Sequence, residues 1–212
     1  MAARQKMVTA MRRLFASLLF LGLFATAAAA ESPPVHLKGA IQSVSGQSFT
    51  MSGSSAPVAV KMTDQTRIAS LETARLADIT QGMFVGTAAI PQPDGTLKAL
   101  EVHIFPEAMR GTGEGYRPFP QVQGGSMTNA TISNIVGTQG AVTDNGLTLT
   151  LRYKDGEKTV VVPKGTPIVL LGKGDVSMLK QGAKVSVTGT KEAGGVTATR
   201  VLVGLAGATP PI

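Results

Sequence analysis

Thr66 and Ile68 recur as Thr166 and Ile168, and Ile79, Gln81, Gly82 and Val85 recur as Leu179, Gln181, Gly182 and Val185, all one hundred positions apart. After a one-residue deletion, Ala99, Val102 and Ile104 recur as Ala198, Val201 and Val203. Chance rarely keeps element order and glycine positions together, so the chain reads as a duplication. That constrains the fold more than any other feature, because both copies must satisfy one architecture.

Each copy reads as β structure. In the first, Leu37 to Val44, Phe49 to Met51 and Val58 to Met62 are β-branched and roughly alternating, with turns at Gly46 and Gly53-Ser54-Ser55. Thr66-Arg67-Ile68 follows. A short helix is expected within Leu71 to Ile79, stopped by Gly82, and then strands Met83 to Ile90 and Leu97 to Phe105 across an Asp94-Gly95 hairpin. In the second, Ala130 to Val136 and Leu147 to Tyr153 are strands about a turn at Asp144-Asn145-Gly146. Leu147, Leu149, Leu151 and Tyr153 alternate with Thr148, Thr150 and Arg152, giving one apolar and one wet face. Lys154-Asp155-Gly156-Glu157 turns the chain into Thr159 to Val162. Asp175 is placed to cap a short helix through Lys180 that Gly182 ends, and Val185 to Thr188 and Val196 to Val203 finish the copy.

Three strands, a short helix and two strands is the order of the OB-fold, a small Greek-key barrel. The expected architecture is all-β: two tandem OB-like five-stranded barrels, each with one short helix, joined by a long glycine- and proline-rich segment. A single β-sandwich built from both halves is the alternative. The expected boundaries are 1–30 for a leader, 31–105 and 128–204 for the two units, 106–127 for the connector and 205–212 for a tail.

The leader is read from Arg4, Lys6, Arg12 and Arg13, the apolar run Leu14 to Phe24, and Ala28-Ala29-Ala30 before Glu31. This is the pattern of a secretory signal peptide. It implies the periplasm of a Gram-negative bacterium with no stable membrane insertion after cleavage; an uncleaved leader anchored in the inner membrane is the alternative. Four of the twenty basic residues lie in the leader, which leaves sixteen against thirteen acidic ones. So slight an excess argues against nucleic acid as the partner. The chain has no cysteine, which excludes disulfides, thiolate chemistry and lipoprotein acylation.

Strand, Thr-x-Ile, short helix ending in Gln-Gly, valine strand, Asp-Gly-type turn and Ala-x-x-Val strand resembles DUF5666, a bacterial domain of unknown function, over most of 35–105 and again over 129–203. The centre, Pro106-Glu107-Ala108-Met109-Arg110-Gly111-Thr112-Gly113-Glu114-Gly115 and then Gly125-Ser126-Met127-Thr128-Asn129-Ala130-Thr131, resembles exported proteobacterial proteins. Some of those are labelled transporter permeases, a label that one leader and no other apolar span do not fit. Relatives show histidine and tryptophan where Tyr116 and Phe119 stand. The resemblance implies tandem copies and export, and no activity.

The connector has no repeat partner. Its expected features are Glu107, Arg110, Glu114, Tyr116, Arg117 and Phe119 as a ligand or partner surface. Glu107 and Glu114 are a candidate carboxylate pair for acid–base work in an envelope enzyme; with Arg110 and Arg117 interleaved, ion pairs that order the segment are the plainer reading. Gly111-Thr112-Gly113-Glu114-Gly115 lacks the following helix that a phosphate loop needs. His103, alternating with Val102 and Ile104, is expected to face solvent. His36, His103 and the methionines Met51, Met62, Met83, Met109, Met127 and Met178 suggest periplasmic copper handling as a further alternative, although no Met-x-Met, His-x-His or Met-x-x-His cluster occurs. The leading expectation is a non-enzymatic binding or scaffold protein with no cofactor, no metal and no catalytic residue. Its expected partner is an envelope protein, a peptide or a glycan.

Overall fold

The structure, a computed structural model, describes residues 33–137 and 146–210. Thirteen strands appear among them: β1 Val35–Ser45, β2 Ser48–Met51, β3 Val58–Lys61, β4 Arg67–Ala74, β5 Phe84–Pro91, β6 Leu97–Ile104, β7 Gly115–Pro118, β8 Ser126–Val136, β9 Leu147–Tyr153, β10 Gly156–Val162, β11 Ile168–Lys173, β12 Lys184–Glu192 and β13 Gly195–Gly204. The chain is all-β. Local chemistry sets the tight corners. Asp94 Oδ1 accepts from the Thr96 amide at 2.9 Å while Gly95 takes φ +84°, a left-handed value that a side chain resists. Lys154-Asp155 alone separates the paired Tyr153 and Gly156, as that turn predicts. The turn expected at Asp144-Asn145-Gly146 and the leader lie largely or wholly outside the described residues.

Strand pairing does not follow the order in which the copies are written. β5, β6, β8, β9 and β10 hydrogen-bond in a cycle that closes where β10 runs parallel to β6, Val160 against Leu97. β1, β2, β3, β12 and β13 form a second cycle, closed where β13 runs parallel to β3, Val196 against Val60. The first is a middle ring, taken from residues 84–162. The second is an end ring that joins the beginning of the described chain to its end. The two units of the expected tandem arrangement therefore do not close on themselves: β1–β3 are completed by β12 and β13, and β8–β10 by β5 and β6.

Each ring has its own apolar interior. Val85, Val102, Ile132, Leu149, Leu151, Val160 and Val162 fill the middle ring, with Ile79 plugging it. Ile41, Phe49, Met51, Val60, Val187, Val201 and Val203 fill the end ring, with Leu179 in the equivalent place. The rows of leucine and valine that alternate with polar residues point inward, which is why the sequence period shows through.

β4 and β11 join the rings. They pair antiparallel with Leu71 opposite Leu171, so the register is symmetric under the hundred-residue offset. β4 also pairs with β13 and β11 with β6, both in parallel. Leu71, Phe84, Phe105, Val169 and Leu171 form a third cluster between the rings. Here the expected helix from Leu71 to Ile79 is corrected. The residues run as strand to Ala74 and then make only a 3-10 turn, Leu76–Asp78. Ser70 and Leu71 are both buried, so β4 is covered on two faces and loses the alternation that marks a strand. The second expected helix is likewise a 3-10 turn, Val176–Met178. Asp175 does cap it, accepting from the Ser177 amide at 2.7 Å.

The connector also has more structure than expected. A 3-10 turn covers Glu107–Met109, and β7 pairs antiparallel with the start of β8, Tyr116 opposite Thr128.

Candidate functional site: a cleft between the rings

Inward-facing positions are spent on the two cores, so chemistry falls to the outward faces. On the end ring the pairing lines up His36, Thr188, Arg200 and Arg67 across β1, β12, β13 and β4. Neighbouring strands lie about 4.8 Å apart, so these four side chains form a continuous row. Lys38, Ser186 and Leu202 form the next row. On the middle ring the related positions give Met127, Ala88 and Glu101 in one row, and Asn129, Gly86 and His103 in the other. These faces line a cleft of about 1160 Å³. Connector residues Thr112, Gly113, Arg117, Phe119 and Gln121 line its remaining side.

Among the described residues the cleft walls carry four cations, Lys38, Arg67, Arg117 and Arg200, against the single carboxylate of Glu101. Glu101 is fully buried, and its Oε1 lies 3.2 Å from His103 Nε2. Burial holds Lys38 below the usual lysine pKa, and the attraction of Glu101 offsets part of that. Arg200 is held below the usual arginine value, first by burial and then by the like charge of Arg67. Arg200 is an exposed residue of the cleft lining. Among the described residues neither Arg67 nor Arg200 forms an ion pair.

The connector is pinned at several points. Arg110 binds both oxygens of Glu107, its Nη2 at 2.7 Å from Oε2, and also donates to the Gly82 carbonyl at 2.9 Å and the Thr131 hydroxyl at 3.1 Å. Asn129 Nδ2 donates to the Thr112 carbonyl at 2.9 Å. Arg117 Nη1 donates to the Gly113 carbonyl at 2.7 Å. Across the cleft, the Gln121 amide reaches His36 Nε2 at 3.1 Å, and His36 Nδ1 lies 3.1 Å from the Thr188 hydroxyl. Gly86 makes room for this packing, since a Cβ there would stand 2.7 Å from Asn129 Oδ1 and 3.0 Å from the Phe105 ring.

The six residues expected to make one surface are divided. Arg117 and Phe119 line the cleft. Glu107 and Arg110 act as the anchor just described. Glu114 is exposed and makes no ion pair with Arg117. Tyr116 packs outside, beneath the Lys158 ammonium at 4.6 Å. Glu107 has both oxygens engaged by Arg110, whereas Glu114 takes no part in that anchor. His103 is corrected: it faces the cleft, not open solvent, with a side chain 14% exposed. Met51 and Met62 are buried in the end-ring core, while Met127 lines the cleft. Among the described residues no group of three histidines and carboxylates converges on a point.

Residues 38–103 match the family model described as a domain of unknown function, DUF5666. The chain carries a DUF5666 domain. No curated protein and no solved structure matches the chain. The DUF5666 segment begins at Lys38 and ends at His103, two cleft residues, and it spans β1 to β6. It thus gives three strands to the end ring and two to the middle ring, with β4 between them. In this chain the DUF5666 segment closes neither ring by itself.

Lys38, Arg67, Glu101 and Arg200 were not legible as site residues from the sequence. One signal was available. The positions related by the duplication should match if both faces did the same work, yet Arg200 stands where the first copy has Glu101. In the same way Lys38 stands opposite Ser186 where Asn129 stands opposite Gly86, and His36 opposite Thr188 where Met127 stands opposite Ala88. Positions inside the two rings, such as Val85 and Val185 or Val102 and Val201, kept their type across the repeat, and these outward ones did not.

Proposed function

We propose that this protein is an exported, non-enzymatic binding protein whose ligand enters the cleft between the two rings, under the connector. The observation that carries the reading is the connector itself. A segment rich in glycine and proline is tied down by Arg110, Asn129 and Gln121, and it lines a polar cleft large enough for a small molecule. Glu107, the better of the two candidate bases, has both oxygens taken by Arg110, which favours binding over catalysis. Export rests on the leader pattern in residues 1–30. Each ring, five strands with a plugging residue from a 3-10 turn, is read as an OB-like barrel, and the two barrels as duplicated DUF5666 units that have exchanged strands. A glycan or peptide fragment from the cell envelope is the partner class that fits.

Native mass spectrometry of the exported protein, purified without denaturation, tests this. An adduct on the wild type that disappears in Thr188→Trp, whose indole would fill the cleft, is expected. An adduct retained in full by Thr188→Trp would place the ligand elsewhere and contradict the reading.

A further inference from the structure

We propose that the cleft is specific for a small organic anion with a hydroxyl-rich body, its carboxylate or phosphate held between Arg67 and Arg200. This deepens the binding function above and rests on it. Arg67 and Arg200 are register partners on adjacent parallel strands, so their side chains leave the sheet on the same face. Two guanidiniums so placed repel each other, and neither has a carboxylate partner among the described residues. Planar forks side by side offer the donors that a carboxylate or phosphate accepts.

The wall around the pair reinforces the sign. Among the described residues Glu101 is the one acid that lines the cleft, and it faces Lys38 and His103. That leaves Arg67, Arg200 and Arg117 as excess positive charge. Ser186, Thr188, Thr199, Asn129 and Gln65 add neutral donors and acceptors suited to hydroxyl groups. Arg200 is held below its usual value by burial first and by the like charge of Arg67 second, and an anion bound between the two would relieve the second. The duplication supplies an internal control: where the end ring has Arg200, the equivalent position on the middle ring has Glu101, so the basic row is not a requirement of the fold.

Isothermal titration at low salt, with glucose 6-phosphate, trigalacturonate, inorganic phosphate and maltotriose as probes, tests the proposal. One or both acidic sugars should bind at least about tenfold more tightly than maltotriose, equivalent to about 1.4 kcal/mol. The phosphate and uronate arms distinguish the two kinds of anion, and inorganic phosphate alone should bind more weakly than the sugar that carries it. Arg67→Gln/Arg200→Gln should lose at least about tenfold in that affinity. Its melting temperature without ligand should be unchanged or raised, because a repulsion is removed. Overturning results are equal binding of acidic and neutral sugars, no binding of either acidic sugar, or undiminished binding by the double variant. Thr188→Trp separates the two levels: if maltotriose binds and this variant abolishes it, the cleft stands and the anion preference falls. If an acidic sugar binds Thr188→Trp as it binds the wild type, the cleft itself is the wrong site.

Discussion

Single side chains divide here into those that hold the fold and those that face the cleft, and acid should separate them. Asp175 is held below the ordinary aspartate value of 3.8 by its hydrogen bonds to Ser177. Asp94 is held below it by Thr96, Asp78 by Arg75, and Glu107 below its ordinary 4.5 by Arg110. A depressed carboxylate contributes stability that is fully present above its unfolded value and lost as pH falls through the folded one. The melting temperature should therefore be flat from neutral pH down to about 4 and fall below that. In Asp175→Asn the acid fall should be shallower, because one of the four linked protons no longer differs between states. An unchanged acid limb in that variant would remove Asp175 from the account. At this scale the sequence was informative about caps and turns, whose chemistry is local. Asp175 and Asp94-Gly95 were both legible. The cleft was not, because His36, Thr188, Arg200 and Arg67 come together only through long-range register.

At the scale of elements, β4 and β11 matter most. Leu71 to Ala74 of β4 was expected to open a short helix, and β11 was marked only by the match of Ile168 to Ile68; each is a strand that carries the chain from one ring to the other. Their sequences mislead for a physical reason: adjacent residues are buried together, Ser70 with Leu71 in β4 and Ile168 with Val169 in β11, so neither strand shows a clean alternation. Leu170 and Leu171 make the contrast measurable within two residues. Leu171 is 2% exposed against Leu71, whereas Leu170 is 42% exposed. Leu171→Ala should cost about 2–5 kcal/mol in urea unfolding, and Leu170→Ala less than about 0.5 kcal/mol. Equal costs would mean that β11 does not sit between the rings as described.

The connector is the second element whose order composition concealed. Its glycines and prolines suggest an open loop, but Arg110 joins it to the Gly82 carbonyl and to Thr131. Intact protein should resist chymotrypsin at Tyr116, and Arg110→Ala should hasten cleavage there by about tenfold or more, since the anchor's opening free energy sets the rate of local cutting. Rapid cleavage of the wild type would reduce the connector to a tether.

For the whole molecule, the hundred-residue recurrence of residue types was readable and the pairing of strands across the two halves was not. Both arrangements, each copy closed on itself or each completing the other, satisfy the same local pattern, the same cores and the same turns. What separates them is whether β4 and β11 cross between the rings, and nothing in the alternation of Ile41 or Val187 records that choice. The consequence for function is large. His36 and Lys38 meet Thr188 and Ser186 across the end ring only in the exchanged arrangement, so the cleft and its basic wall follow from it.

A cysteine-free chain allows that pairing to be read directly. Ala40 lies opposite Lys184 on the outer side of the end ring. A copy closed on itself would place Ala40 opposite Phe84, the residue equivalent to Lys184 in the first copy. Two double variants, Ala40→Cys with Lys184→Cys and Ala40→Cys with Phe84→Cys, can be oxidised under native conditions and mapped by peptide mass spectrometry. The account predicts an intramolecular disulfide in the first and only free thiols in the second. A disulfide in the second and none in the first would contradict the exchange and the cleft built on it.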